Sequence, residues 1–185
     1  ALQATAVMPF SSARKLSAVT FGEAGTFAMG APEFVLKPLP IRVEKIVKQY
    51  AQMGLRVLVL AHSTAQIQGD KLPTAFRPIA ILTLSDNIRP DAVETIKWFR
   101  ENDVAVKVIS GDNPVTVSEV ARRAGIKNAA QFISLEGLSD LEVENAANQY
   151  TVFGRVTPEQ KAILIRSIKK AGNTVAMTGD GVNDI

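Results

Sequence analysis

The sequence predicts a two-module α/β protein: an antiparallel α+β module to about residue 85, then a parallel-sheet α/β module over residues 86–185. Three observations lead there. Before Ser85, apolar runs are joined by short turn-rich segments of hairpin type. After the punctuation Asp86-Asn87-Ile88-Arg89-Pro90, helical and strand periodicities alternate, which implies parallel strands with helices on the sheet faces. Finally, Thr174-Val175-Ala176-Met177 reads as a short apolar strand running into Thr178-Gly179-Asp180-Gly181-Val182-Asn183-Asp184. A strand that stops in glycine-flanked acids resembles the carboxyl edge of an open α/β sheet, where ligands bind.

Taken in order, Met8-Pro9-Phe10 leads to a polar stretch and then to a strand from Leu16 to Phe21, whose apolar positions roughly alternate. Gly22-Glu23-Ala24-Gly25 is its turn, Thr26–Met29 the returning strand, and Pro32 the opening of a short helical turn. Val43, Ile46, Val47 and Tyr50 recur at helical spacing in a helix from Ile41 to Met53, ended by Gly54. Strands are expected over Leu55–Ala61 and Phe76–Leu84, with an irregular excursion between them. In the second module a helix from Pro90 to Asn102 offers Val93, Ile96, Trp98 and Phe99 to the core, and Val104–Ile109 reads as a buried strand. Asn113-Pro114 opens a helix to about Ala124. Ser139-Asp140-Leu141-Glu142 and Thr157-Pro158-Glu159-Gln160 are capping boxes that start helices to about Gln149 and Lys170, flanking a strand over Tyr150–Val156.

Composition narrows the chemistry. The chain has 185 residues, 46% hydrophobic and 21% charged, which is enough for one large domain or two small ones with real cores. A net charge of +3, with basic residues scattered, gives no nucleic-acid patch. The absence of cysteine excludes disulfides and thiolate metal sites. One histidine, His62, argues against a histidine metal site or a Ser-His triad and reads as an ordinary residue at a strand end. No apolar run reaches bilayer-spanning length and no signal peptide is evident. The chain starts at Ala1 without methionine and stops at Ile185, where a helix should follow, so a piece of something larger is expected.

Three strand ends of the second module carry reactive groups. Ser110-Gly111-Asp112 supplies a hydroxyl and backbone N–H groups at a helix N-terminus, an anion cradle. Lys161 brings a point positive charge suited to phosphate. Asp180 and Asp184, with Asn183 between them, offer the oxygen ligands that Mg²⁺ prefers. Together these are the parts of phosphoryl transfer: charge neutralisation, positioning and a metal. Singly they read as a turn serine, a helix cap, a solvated lysine and solvated acids in a Gly-Asp-Gly turn.

At these residues the chain resembles the P-type cation-transporting ATPases. Thr178–Asp184 matches the family's TGDGxND signature, and Ser110-Gly111-Asp112-Asn113 looks like its TGD motif with serine for threonine. Asp86-Asn87-Ile88-Arg89 is similar to the DPxR hinge, with asparagine where proline is usual. Phe10–Lys15 and Gly30–Glu33 resemble the FSSxRK and KGAPE motifs of the nucleotide domain, and Gly54–Ala61 the strand carrying a nucleotide-binding arginine. The resemblance implies an incomplete Rossmann-like, haloacid-dehalogenase-type domain over 86–185, preceded by a partial α+β nucleotide-binding domain over 1–85. It further implies that Phe10 stacks on the adenine of ATP, with Lys15, Gly30 and Arg56 near the nucleotide. Ser110 would hold the phosphoryl group, with Gly111 and Asp112 of the same motif among the cofactor-binding residues; Lys161 would neutralise it, and Asp180 would bind Mg²⁺. Asn183 and Asp184 would complete the phosphate and metal surroundings, and Asp86 and Arg89 would sit at the hinge.

Departures from the family pattern shape the expectation. The DKTGT motif with the phosphorylated aspartate does not occur in these residues, and Met29 stands where KGAPE has lysine. The implied parent is a multi-pass membrane pump whose cytoplasmic side includes this segment, with Ca²⁺ or Mg²⁺ as the guess for the transported cation. The segment alone is expected to be inactive and to bind nucleotide weakly at best. It is also expected to be open to self-association along an unpaired sheet edge. A soluble phosphatase of the haloacid dehalogenase type and a non-catalytic nucleotide-binding module are the alternatives.

Overall fold

The computed structural model describes residues 2–85 and 87–179. They fall into two compact units, Ala1–Tyr50 with Leu55–Ser85, and Ala51–Gly54 with Asp86–Ile185.

The first unit is built on a five-stranded antiparallel sheet in sequential order: β1 (Ala6–Met8), β2 (Leu16–Thr20), β3 (Thr26–Gly30), β4 (Arg56–Ser63) and β5 (Arg77–Leu84). Two helices, α1 (Pro32–Val35) and α2 (Ile41–Gln52), lie between β3 and β4 in sequence. Period-two alternation decides which face is buried. Leu16, Ala18 and Thr20, then Thr26, Ala28 and Gly30, then Val57, Val59, Ala61 and Ser63 are all buried, and the residues between them are not. Leu16, Ala18, Ala28, Val59 and Ala61 of that face pack with Val35, Leu36, Val43 and Met8 into one core, each large side chain contributing about 1.5–3 kcal/mol of burial.

Hydroxyls complete the face. Thr26 donates to the carbonyl of Ala65 (2.8 Å), so the 2.8 Å contact between Thr20 and Thr26 must be donated by Thr20, whose oxygen also accepts from the Ile67 N–H (3.2 Å). This pins the irregular segment after β4 to the sheet. His62 has the structural role expected of it: Nε2 donates to the Ala24 carbonyl at 2.7 Å, and its ring lies 4.8 Å from that of Phe27.

The second unit holds a three-stranded parallel sheet in the order β6 (Val108–Ile109), β8 (Val152–Gly154), β7 (Phe132–Ser134). Its helices are α3 (Pro90–Glu101), α4 (Pro114–Arg123), α5 (Asp140–Ala146) and α6 (Pro158–Lys170). The central strand β8 is buried throughout. Val152 points into a cluster with Val117, Ala121 and Ala129, while Phe153 points into another with Leu135, Val143, Ala147 and Leu164. Helices therefore cover both faces, as parallel sheets require. Both expected capping boxes are present, at Ser139 and Thr157.

Several expectations are corrected. Thr174–Met177 forms no strand, and Met177 is 45% exposed. Strand propensity is insufficient without a neighbouring ladder to take the backbone N–H and C=O groups, and β6 pairs among the described strands with β8 alone. The strand expected over Val104–Ile109 shrinks to Val108–Ile109, and that over Tyr150–Val156 to the three residues of β8, whose two neighbours are themselves only two and three residues long. None of Val93, Ile96, Trp98 and Phe99 is buried, because α3 buries no residue; Trp98 is 58% exposed and stacks edge-on against Phe99. Helix α5 ends at Ala146, short of Gln149. Strand β7 was not anticipated.

Two outcomes follow from this packing. A Cβ on Gly154 would lie 2.5 Å from Pro114 Cα. Gly154→Ala is therefore expected to destabilise the second unit by about 1–3 kcal/mol in urea unfolding; an unchanged midpoint would contradict the packing. The Glu142 carboxylate accepts from the Ser139 hydroxyl (2.6 Å) and N–H (2.8 Å), bonds that hold it below the usual glutamate range. A depressed folded value means that the cap's contribution is complete above the ordinary value of about 4.3 and is lost as pH falls below it. Glu142→Gln should therefore flatten the acid limb of a stability–pH curve.

Candidate functional site

Parallel strands place their carboxyl ends on one edge, and loops leaving that edge carry the candidate chemistry of the second unit. Strand β6 ends at Ile109 and runs through Ser110, Gly111 and Asp112 to Asn113, which caps α4 by accepting from the Val115 N–H at 3.0 Å. Ser110 Oγ accepts from the Asp112 N–H at 3.1 Å, so this hydroxyl first shapes its own loop. The loop does not stand alone. Ser110 N–H donates to the Phe153 carbonyl (2.9 Å), Val156 N–H to the Ser110 carbonyl (3.1 Å) and Arg155 N–H to the Asp112 carbonyl (2.9 Å). The segment leaving β8 is thus stitched to the segment leaving β6.

That same segment runs into α6. Thr157 accepts from the Gln160 N–H (3.3 Å), and Gln160 returns a bond from the Thr157 N–H (3.1 Å) while its amide donates to the Leu135 carbonyl (2.8 Å). Gln160 therefore ties the start of α6 to the loop after β7. Lys161 follows it, half-buried in the helix's first turns. All three strand ends are joined by hydrogen bonds, and the helix bearing Lys161 starts from that junction. Sequence reasoning identified Ser110, Gly111, Asp112 and Lys161 but not Gly154, Arg155 or Gln160. The only signal for Arg155 was its place directly after a strand, next to a glycine.

In the first unit the candidate residues gather at one end of the sheet. Lys15 sits at a left-handed φ of 56° just before β2. Its carbonyl accepts from the Ala31 N–H at 3.1 Å and passes so close to Gly30 that a Cβ there would lie 2.4 Å from it. Glycine is needed at this crossing. Register places Gly30 opposite Leu16 and Val59, so Arg56, three residues before Val59, begins β4 at the same end. Phe10 is 64% exposed in the loop before β2. That loop is braced by Arg14 donating to the Pro9 carbonyl (3.0 Å) and by Lys15 N–H donating to the Ser11 carbonyl (2.8 Å).

A family model described as haloacid dehalogenase-like hydrolase matches residues 23–185. The chain belongs to that family. Curated relatives sharpen the comparison for this haloacid dehalogenase-like protein. It is 42% identical over 181 residues to a probable cation-transporting ATPase, exp7, of Streptococcus pneumoniae, covering 96% of this chain and 23% of that protein. It is 41% identical over 177 residues to the calcium-transporting ATPase CtpE of Mycobacterium bovis, covering 96% and 22%. It is 32% identical over 145 residues to a magnesium-transporting P-type ATPase of Salmonella typhimurium, covering 74% and 16%. The chain thus spans less than a quarter of the length of these relatives.

Of the remaining expected residues in this haloacid dehalogenase-like chain, Asp86, Asp180, Asn183 and Asp184 lie outside the described residues. Among the described residues no group of three His, Cys, Asp or Glu side chains gathers into a cation site. Arg89 precedes α3 and pairs with Asp91 at 3.6 Å, both side chains well exposed. Among the described residues no helix is long and apolar enough to cross a membrane.

A cavity of about 380 Å³ lies at the other end of the second unit, lined among others by Arg100, Lys107, Lys127 and Gln149. It sits where the chain enters β6 and β8, away from the Ser110 loop. Lys107 Nζ donates there to the Tyr150 carbonyl at 2.5 Å, and burial pulls its pKa down. Arg100 in the last turn of α3 complements that helix's dipole, as do Arg122 and Arg123 in the last turn of α4.

The exposure of Phe10 separates a binding role from a core role. Phe10→Ala is expected to change stability by no more than about 0.5 kcal/mol, as at other surface sites, measured by chemical unfolding. A loss of several kcal/mol would make it a core residue after all.

Proposed function

We propose that this chain is the ATP-binding and phosphorylation region of an ATP-driven cation pump, on the cytoplasmic side of its membrane. Similarity to cation-transporting ATPases over nearly the whole chain supports that reading, and so do the joined strand ends bearing Ser110 and Lys161. In this scheme ATP lies at the end of the first unit's sheet, its adenine stacked on Phe10 and its phosphates near Lys15, Gly30 and Arg56. Stacking of a base on an aromatic ring contributes about 1–3 kcal/mol, and an exposed ring is ready for it. The second unit receives the γ-phosphoryl group on an aspartate that this chain does not contain.

There the chain's own residues neutralise and orient the phosphoryl group. The Ser110 hydroxyl and the Gly111 N–H hold its oxygens at the start of α4, where the helix dipole favours negative charge, while Asp112 shapes the loop through its N–H bond to Ser110 Oγ. Lys161 supplies a fixed positive charge. When bound, Mg²⁺ at Asp180 and Asp184 adds further charge compensation, with Asn183 beside it. Asp86 and Arg89 form the hinge. Calcium or magnesium is the proposed cargo, by analogy with the names of the relatives.

The test uses the longer protein that carries this segment. Incubation with γ-labelled ATP is expected to leave an acid-stable, hydroxylamine-sensitive label, and Lys161→Met should lower its rate of formation about 10²-fold or more. A protein that hydrolyses small phosphate esters and never acquires label would be a soluble phosphatase instead. One that binds nucleotide and does neither would be a regulatory module.

A further inference from the structure

Arg155 has no assigned role, yet its conformation and bonds set it apart. Among the described residues it is one of four non-glycine residues with a left-handed backbone, at φ 54°. Arginine gains nothing there from its backbone, since glycine adopts that region without the steric cost. A strained arginine kept at such a position points to use of the side chain, and the side chain is used: Nη1 donates to the Gly111 carbonyl at 3.3 Å. With Arg155 N–H on the Asp112 carbonyl and Val156 N–H on the Ser110 carbonyl, three successive carbonyls of the 110–112 loop are taken by two consecutive residues after β8.

We propose that Arg155 is a positioning residue for the phosphoryl-handling loop. Its guanidinium and backbone draw the carbonyls of Ser110, Gly111 and Asp112 to one side. The peptide dipoles of the loop are thereby fixed. With the Ser110 N–H on the Phe153 carbonyl and the Asp112 N–H on Ser110 Oγ, the Ser110 hydroxyl and the Gly111 N–H are the loop groups that meet an anion. The left-handed turn at Arg155 makes this possible, because it brings the N–H groups of Arg155 and Val156 and the guanidinium onto the same stretch of loop. Gly154 lets the two segments approach, since a Cβ there would meet the backbone of Pro114. The geometric part stands on these bonds alone; the phosphoryl part rests on the pump reading above.

The two parts are tested separately. In the full 185-residue chain, hydrogen exchange is followed at the amides of Asp112, residue 155 and Val156, with Phe153 as the reference for the sheet. Arg155→Gly and Arg155→Met are expected to speed exchange at the first three at least tenfold and leave Phe153 and the unfolding midpoint nearly unchanged. Arg155→Lys, which reaches one carbonyl with one cation, should fall between. Exchange at the loop unaltered in both variants, or accelerated equally at Phe153, overturns the clamp.

In the longer labelled protein, Arg155→Met should slow label formation at saturating ATP with little change in the ATP concentration for half-maximal rate. A raised half-maximal concentration with an unchanged maximal rate would make Arg155 a nucleotide contact and overturn the positioning role. Absence of any label in the unsubstituted protein would defeat the pump reading, while the exchange result would still decide the clamp.

Discussion

The second unit depends on the stitch between the end of β8 and the loop after β6. Strand β6 is only two residues long and could not by itself hold a loop in place. Its orientation comes from β8, which is buried on both faces and whose exit segment takes up the carbonyls of Ser110, Gly111 and Asp112. Close approach is the condition for these bonds, and Gly154 against Pro114 is what permits it. A side chain at either crossing would push α4 away and release the loop, so the packing of one glycine sets the geometry of a candidate site several residues away.

The first unit solves a related problem with different means. Its sheet has one buried face, closed by α1, α2 and a line of threonine hydroxyls, and its candidate residues collect where β2, β3 and β4 share an end. Gly30 again lets two backbones meet, here at the Lys15 carbonyl. In both units part of the candidate set sits in loops, Phe10 and Lys15 in the first and Ser110 and Asp112 in the second, while Arg56 begins β4 and Lys161 lies in α6; Gly30 and Gly154 let those loops close on rigid strands. The exposure of Phe10 suits the base-stacking role proposed for it, since such a ring has to be open to its ligand.

Much of this was legible in the sequence, for identifiable reasons. Capping boxes at Ser139 and Thr157 announced α5 and α6 because the bonding is local, within four residues. The alternation in β2 was visible because one face is buried and the other is not. What stayed hidden was decided by long-range partners. Apolar letters at Thr174–Met177 and along α3 could not reveal that no described element covers them. Strand β7 is three residues long, too short for any periodicity to register. Among candidate site residues, Ser110 and Lys161 belong to recognisable patterns, whereas Arg155 acts through bonds to a loop more than forty positions earlier, which no local pattern encodes.

The proposed function stands on one point above all: that Asp180 and Asp184 serve a divalent metal that acts on the same phosphoryl group as the Ser110 loop and Lys161. Replacing Mg²⁺ by paramagnetic Mn²⁺ and recording amide signals of the chain tests it most directly. The account predicts selective broadening at Ser110, Gly111, Asp112, Arg155 and Lys161, with Trp98, Lys127 and Lys170 unaffected, and loss of the effect in Asp180→Asn. Broadening centred on the Lys107 cavity, or spread evenly over surface carboxylates and insensitive to Asp180→Asn, would contradict it.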